Sequence, residues 1–267
     1  MTAALLLREL RVFFTAIQFL TRVPIPRWVG FDPAWLQASA RHFPLVGFGV
    51  GVWGGAALAL SAWAFGSPWV AAWLSIAATV WCTGAFHEDG WADTCDGLGG
   101  TVSRARALEI MKDSRIGAYG AIGLVLLLGL KAAALAALPL PLAVAATVWA
   151  HTVSRTAAVT LIHAVPYAGD PEHAKAKPLT HQVGRGSWAV ACAWTLALAA
   201  GMVVWQPGWT WALLASLGTT LVVSAGCARW FLHRLGGVTG DTLGATQQLV
   251  EVGVLLTWLA VGRQFGP

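Results

Sequence analysis

The sequence of 267 residues has little charge. Asp, Glu, Lys and Arg together make up 11% of it, against about 25% in an ordinary soluble domain. Apolar residues make up 57%, and the mean hydropathy is +0.65. This balance excludes a disordered chain and an ordinary soluble enzyme. It is typical of a protein that crosses a membrane several times.

Cysteine is also scarce, and no two cysteines form a CxxC pair. A zinc or iron–sulfur site made from cysteine is therefore not expected. We interpret these residues as small buried hydrophobic side chains. The set is Cys82, Cys95, Cys192 and Cys227.

Long apolar runs dominate the rest of the chain. A helix that crosses about 30 Å of hydrocarbon needs about 20 mostly apolar residues. We therefore predict an all-α membrane protein with about seven transmembrane helices, in a single integral membrane domain over residues 1–267. The predicted spans are 43–65, 68–86, 118–138, 141–163, 188–206, 209–227 and 243–262.

The N-terminal segment 1–42 precedes the predicted transmembrane bundle 43–262. Within it, residues 3–20 place apolar side chains on one helical face, with Arg8, Glu9 and Arg11 off that face. This pattern predicts an amphipathic helix that lies in the membrane interface, in contact with lipid. The charges that interrupt the run also lead us to expect no cleavable signal peptide.

The connections between spans alternate in charge. Basic residues collect in the N-terminal segment and in the loops 87–117, 164–187 and 228–242, whereas the three short hairpin turns carry none. By the positive-inside rule, the N-terminus and these three loops are cytoplasmic. The sequence therefore predicts a multi-pass protein of the inner (plasma) membrane, with its active-site loops in the cytoplasm.

Loop 87–117 holds six of the twelve acidic residues. Asp89, Asp93 and Asp96 stand at i, i+4 and i+7, so a helix presents all three on one face. Three close carboxylates repel one another unless a cation lies between them. Oxygen ligands without nearby His or Cys suit Mg²⁺, with Mn²⁺ as the alternative. Glu88 is a fourth candidate ligand. The structural alternative is a solvated acidic face, which usually carries lysines at i±4, and this stretch has none.

Glycines and basic residues follow the acidic face within the same loop. Glycine lets the backbone approach a ligand closely, and Arg and Lys bind phosphate oxygens. Acidic and basic residues so close together are what phosphoryl transfer requires. For Arg104 and Arg106, positive-inside topology explains the charge equally well. The candidates are Gly97, Gly99, Gly100, Arg104, Arg106, Lys112 and Arg115.

Two further regions carry candidate residues. The glycine-rich stretch 236–245 contains Thr239 and Asp241, and Asp241 is a candidate metal ligand or base, although a helix cap explains it too. Inside predicted spans, Arg155 and Glu251 are expected to pair, because intramembrane charges usually face a partner or a polar cavity. A structural role for that pair stays as open as a role in substrate binding.

Two motifs together closely resemble the cobalamin synthase family (adenosylcobinamide-GDP ribazoletransferase). They are residues 88–97 (EDGWADTCDG) and residues 112–117 (KDSRIG). The resemblance extends over nearly the whole chain through FLTRVP at 19–24, FPLVG at 43–47 and GGVTGD at 236–241. Glu251 also matches the family's C-terminal signature, whereas Glu88 stands where the family often has a neutral residue.

This resemblance implies a Mg²⁺-dependent membrane enzyme that joins adenosylcobinamide-GDP to α-ribazole or its 5′-phosphate and releases GMP. Under it, the three aspartates hold Mg²⁺ on the diphosphate, and Lys112 and Arg115 stabilise the phosphoryl oxygens and the leaving GMP. Asp113 or Asp241 takes the proton or completes the metal shell. No nucleic acid is expected as a partner, and a homo-oligomer is left open.

Two other functions are weighed against it. A CDP-alcohol phosphatidyltransferase-like enzyme also places aspartates near a membrane surface, but Asp93 falls where its DGxxAR pattern has alanine, and no GxxxDxxxD follows. A cation-coupled transporter would use the acidic cluster as an ion site. The acids, however, lie at one end of the predicted bundle, and no inverted repeat is apparent.

Overall fold

A computed structural model describes residues 3–169 and 183–262. The predicted loop 164–187 therefore lies largely outside the described residues. Within the described part the chain is helical and contains no strand, which confirms the all-α prediction. The helices are α1 (Ala3–Leu20), α2 (Pro33–Ser39), α3 (Phe43–Phe65), α4 (Pro68–Thr83), α5 (Phe86–Leu98), α6 (Arg104–Ile110), α7 (Ala118–Ala137), α8 (Leu140–Ala164), α9 (Arg185–Trp205), α10 (Thr210–Leu235) and α11 (Gly240–Gly262).

The number of membrane spans differs from the sequence prediction. By length and composition, five helical segments of the described chain can cross a membrane, and the bent pair α4–α5 would be a sixth. The protein is thus a multi-pass membrane protein, but the predicted count of about seven is not confirmed. Helix α8 does not qualify although it has 25 residues. It carries several polar side chains, among them His151, Ser154 and Arg155, which lie inside the bundle.

The predicted span 68–86 is not one straight helix. Helix α4 ends at Thr83, and Gly84 and Ala85 both adopt positive φ angles, 69° and 59°. The axis then turns by 93° into α5. Since α5 packs against both α7 and α11, the first part of the predicted loop 87–117 is a helix set into the bundle.

Glycines let α3 cross α8 at very close range. A Cβ atom at Gly51 would lie 2.6 Å from the Cα of Val148, and one at Gly55 would lie 3.1 Å from Val144 Cγ1. Small residues at such spacing are a common way for membrane helices to pack. The glycine-rich segment 43–65 is therefore one continuous helix held against its neighbour.

The predicted helix over residues 3–20 is confirmed as α1, and its position in the membrane interface stays a prediction. It leaves Leu5, Leu6, Leu7 and Leu10 exposed, while its second half packs against the bundle. Glu9 connects it to the start of α3 through Arg41 at 3.1 Å and His42 at 3.4 Å.

The predicted loop 228–242 is mostly helical. Helix α10 continues to Leu235 and ends at Gly236, whose φ of 76° favours glycine. Only residues 236–239 connect it to α11. Val238 in this connection pairs with the segment after α8, since its N–H donates to Pro166 O at 2.9 Å. The ends of α8 and α10 are thereby held at one end of the bundle, beside α6.

Candidate active site

Helix α5 separates its carboxylates onto two faces. Asp89 is exposed, and Asp93 and Asp96 are half-buried on the same side of the helix. Glu88 is 8% exposed and points into the bundle. Since neighbouring residues on a helix point about 100° apart, the acidic run meets two different environments. The predicted acidic face is present, but Glu88 is not part of it.

Asp96 fixes the end of α5 against the start of α7. Its Oδ2 accepts the N–H of Gly117 at 2.7 Å, and its Oδ1 accepts the N–H of Gly120 at 2.8 Å. These N–H groups belong to the first turn of α7, where no helical partner exists and a carboxylate is favoured. Asp96 therefore has a structural task that the sequence did not reveal.

The carboxylates do not converge on a common centre. Within residues 3–169 and 183–262, no three His, Cys, Asp or Glu side chains are arranged to hold a metal ion. The protein alone does not complete a metal shell there. The metal-ligand roles of Asp89, Asp93, Asp96 and Glu88 stay predictions.

Asp241 lies beside the acidic helix. A Cβ atom at Gly90 would lie 3.0 Å from the Cα of Asp241, so the backbones of α5 and α11 touch at this point. Gly90 follows Asp89 directly, and Asp241 occupies the first turn of α11. The fold thus brings residues about 150 positions apart in sequence to one site.

A groove opens next to the C-terminal end of the acidic helix. It has a volume of about 380 Å³, within the range of small-ligand sites. Apolar side chains and Tyr119 supply much of its lining, together with Asp96, Asp113, Arg115 and Gly100. The groove joins the acidic face to the loop that carries the predicted phosphate-binding residues.

Asp113 and Arg115 form a two-pronged ion pair at this groove. Arg115 Nη2 donates to Asp113 Oδ2 at 2.6 Å, and Nε donates to Oδ1 at 3.0 Å. Hydrogen bonds from Arg115 lower the pKa of Asp113 to about 2. A general base works best when its pKa lies near the working pH, so this environment disfavours Asp113 as the base. Lys112 is exposed beside the pair.

Arg104 has structural contacts. Its Nε donates to Leu235 O at 2.6 Å, and its Nη2 donates to Ala168 O at 3.0 Å, so it caps α10 and ties it to the segment after α8. Arg106 pairs with Glu109 at 2.8 Å on the exposed side of α6. The predicted phosphate contacts of these two arginines stay predictions.

Arg234 was not singled out from the sequence, although it shapes the groove. It donates to the carbonyl oxygens of Leu98 at 3.1 Å and Gly100 at 2.9 Å. In the sequence Arg234 reads only as one more basic loop residue, so no local signal distinguishes it.

Of the glycines predicted to contact a ligand, two lie in close packing contacts and one lines the groove. A Cβ atom at Gly97 would lie 2.7 Å from Met111 Cγ, and one at Gly99 would lie 2.7 Å from the Tyr119 ring, so both glycines serve close packing. Gly100 lines the groove. Thr239 is buried, and it exchanges hydrogen bonds with Thr242 that cap the start of α11.

Glu251 lies in a buried ionic network, with partners other than the one expected. Its carboxylate accepts from Lys131 Nζ at 3.0 Å and pairs with His151 Nδ1 at 2.5 Å. The predicted pairing with Arg155 is corrected: Arg155 instead donates to the backbone oxygen of His151 at 2.7 Å. Lys131 interrupts an apolar span, which is the sequence signal for such a network.

Two glutamines extend this network to α5. Gln248 accepts from Lys131 Nζ at 2.6 Å and donates to Glu88 Oε1 at 2.9 Å. Gln247 donates to Glu251 Oε2 at 2.8 Å. The inner face of α5 is thereby joined to α7 and α11 by hydrogen bonds.

The space beside this network is small. A cavity of about 20 Å³ adjoins Lys131, His151 and Glu251, which is room for about one water molecule. Arg155 and Glu251 are each 2% exposed. In this structure both stabilise the bundle, and their contact with substrate stays a prediction.

Known proteins match this chain along nearly its whole length. The family model described as cobalamin-5-phosphate synthase matches residues 12–259. Similar proteins named adenosylcobinamide-GDP ribazoletransferase include one from Leptothrix cholodnii, 55% identical over 96% of this chain and 98% of its own. The protein of that name from Polaromonas naphthalenivorans is 43% identical over 94% and 98%, and that from Shewanella piezotolerans is 41% identical over 97% and 98%.

No solved structure matches the chain. With a family model covering residues 12–259 and relatives aligned almost end to end, the chain belongs to the cobalamin-5-phosphate synthase family.

Proposed function

We propose that this protein is an adenosylcobinamide-GDP ribazoletransferase. A free ribose hydroxyl of α-ribazole, or of its 5′-phosphate, attacks the phosphorus next to cobinamide. The bond from that phosphorus to the bridging oxygen breaks, and GMP leaves. The observation that carries the proposal is the acidic face of α5, where Asp89 is exposed, beside a groove lined by Asp113, Arg115 and Tyr119.

The chain's own residues divide the work by position. Asp89 and Asp93 face outward from α5 beside the diphosphate, while Lys112 and Arg115 balance the charge of its oxygens. Asp241, at the start of α11 and against Gly90, accepts the proton of the attacking hydroxyl. Asp113 is not assigned this role, because its pKa is held at about 2.

The residues present fit a hard divalent cation whose ligands come partly from the protein and partly from the substrate. The donors on the outer face are carboxylate oxygens, and Mg²⁺ commonly takes only one or two carboxylates together with substrate phosphates and waters. This agrees with carboxylates that do not form a complete shell by themselves. When bound, Mg²⁺ (or Mn²⁺) would neutralise charge on the phosphate oxygens.

The distribution of charge and helix α1 support one orientation in the membrane. The site lies at the end of the bundle where most basic residues collect, so we place it on the cytoplasmic side of the inner membrane. Exposed leucines of α1 would enter the lipid interface at the same level.

The decisive experiment measures GMP release by the detergent-purified protein. We expect GMP only when adenosylcobinamide-GDP, α-ribazole and Mg²⁺ are all present, and loss of that activity in Asp89→Asn. Omitting each component in turn is the control, and chelation followed by Mn²⁺ addition tests the metal. If the folded wild-type protein releases no GMP with every component present, the proposal is overturned.

A further inference from the structure

The geometry points to a guanine-binding subsite in the groove beside Tyr119, with Asp113 receiving the base. This inference rests on the proposed function, because that function requires a guanine nucleotide to bind and leave. It adds which residues recognise the base and why guanine is preferred to adenine.

The groove beside Tyr119 is large enough for a nucleoside. The groove of about 380 Å³ can hold a nucleoside, whereas the cavity beside Glu251 has about 20 Å³. The lining suits a flat ring better than a phosphate, since Val102, Ile110 and Ala118 are apolar and Tyr119 is aromatic. Stacking on an aromatic side chain is a common way to bind any nucleobase.

The Asp113 carboxylate already binds a planar group, the guanidinium of Arg115. Its two oxygens accept a planar fork of N–H groups from the Arg115 guanidinium. Guanine offers a fork of the same kind, because its N1–H and 2-amino N–H point in parallel from one ring edge. Adenine has no such pair of donors. A carboxylate that accepts one fork is chemically suited to accept the other.

The ion pair between Asp113 and Arg115 is exposed to solvent. The Arg115 side chain is 87% exposed and that of Asp113 is 38% exposed, so solvent screens their attraction and the pair can open. Guanine then takes the place of the guanidinium on Asp113. Arg115 becomes free to bind the diphosphate, as planar arginines commonly do.

The distance along α5 from the groove to Asp89 suits a nucleotide. Asp96 lines the groove, and Asp89 lies seven residues earlier on the same face, about 10 Å away at 1.5 Å per residue. This is comparable to the span from base to phosphate in a nucleotide. A donor with guanine in the groove therefore places its diphosphate beside Asp93 and Asp89.

The test compares nucleotide binding by the full-length purified protein, measured by calorimetry with GMP, IMP and AMP. Wild type is expected to bind GMP about 10- to 100-fold more tightly than AMP, with IMP between them because it lacks the 2-amino group. In Asp113→Asn the three affinities should fall within about threefold of one another. Glu109→Gln, which removes an exposed carboxylate from α6, is the matched control and should keep the wild-type order.

Two more variants guard against simple misfolding. In Arg115→Met, guanosine should bind more tightly than to wild type because its competitor for Asp113 is gone, while GMP gains less because a phosphate contact is lost. Tyr119→Phe should keep all affinities, and Tyr119→Ala should weaken all three nucleotides alike.

An unchanged preference for GMP in Asp113→Asn overturns the inference, and so does weaker guanosine binding in Arg115→Met. Absence of GMP binding to folded wild type overturns it as well. None of these results touches the proposed function if GMP release from adenosylcobinamide-GDP persists. Failure of GMP release with intact guanine selectivity would instead reject the function and keep the subsite.

Discussion

Glu88 and Asp89 are neighbouring carboxylates that lie in opposite environments. Glu88 is 8% exposed and accepts a hydrogen bond from Gln248 inside the bundle, whereas Asp89 is exposed on the outer face. A residue of the inner face belongs to the network that holds α5 in place. Asp89, exposed on the outer face, is open to substrate. One short acidic run thus combines a structural and a functional task, divided by the helical turn.

The largest expected effect compares matched amide substitutions on the two faces. Asp89→Asn should reduce GMP release by about 10²-fold or more, because a charge at the reacting phosphate is lost, with little change in unfolding temperature. Glu88→Gln should keep activity within about tenfold but lower the unfolding temperature, since Arg155 loses a nearby negative charge. Steady-state kinetics and thermal unfolding in detergent measure both. Equal loss of activity in the two variants would contradict the division of faces.

The next effect tests the inner network directly. Lys131→Met leaves the Glu251 carboxylate without its ammonium partner, which should cost about 3–5 kcal/mol in the free energy of unfolding. The double variant Lys131→Met with Glu251→Gln should recover part of that cost, because the carboxylate charge left without Lys131 is then removed as well. Denaturant titration of the purified protein provides the values. If the double variant is no more stable than Lys131→Met alone, Lys131 and Glu251 are not energetically coupled.

A smaller effect is expected at the contact between α5 and α11. Gly90→Ala places a methyl group about 3 Å from the Asp241 backbone, so α5 and α11 must separate. We expect destabilisation of about 1–3 kcal/mol together with reduced kcat. Gly129→Ala on α7 is the control, since nothing lies within 4 Å of its Cβ position. That control should keep wild-type activity, and a Gly90→Ala protein indistinguishable from it would show that this close contact is not needed.

The smallest effect concerns pH. The pKa of Asp113 is lowered from 3.8 to about 2 by hydrogen bonds from Arg115. For a lowered carboxyl pKa, the contribution to stability is present above pH 3.8 and is lost as the pH falls through about 2. The difference in unfolding temperature between wild type and Asp113→Asn should therefore be the same at pH 7 and pH 5, and it should shrink only as the pH falls below 3.8. A difference that already shrinks between pH 7 and pH 5 would show that the pKa of Asp113 is not lowered.

Several features of the site were accessible from sequence because they depend on local spacing. The i, i+4, i+7 pattern predicted one acidic face for Asp89, Asp93 and Asp96, and α1 was predicted over the residues that form it. The straight span over 68–86 was not observed, because positive φ angles at Gly84 and Ala85 turn the chain. A hydropathy average does not detect such a turn when the residues after it are still partly apolar.

The structural roles of Arg104 and Thr239 were hidden for a different reason. Arg104 binds carbonyl oxygens of Leu235 and Ala168, and backbone carbonyls leave no mark in a sequence. From sequence alone, any arginine in a glycine-rich loop is a candidate phosphate ligand, because its hydrogen-bond partners are not visible there. The same limit applies to Arg234, which grips Leu98 and Gly100 from another helix.

The sequence by itself determined that the chain is a helical membrane protein of the cobalamin-5-phosphate synthase family, because composition, period and short motifs are local properties. Only the tertiary structure decided which charges meet. It joined Glu251 to Lys131 and His151 rather than to Arg155, and it set Asp241 against Gly90. Burying a charge is costly without a partner, and a partner a hundred or more residues away is selected by helix packing.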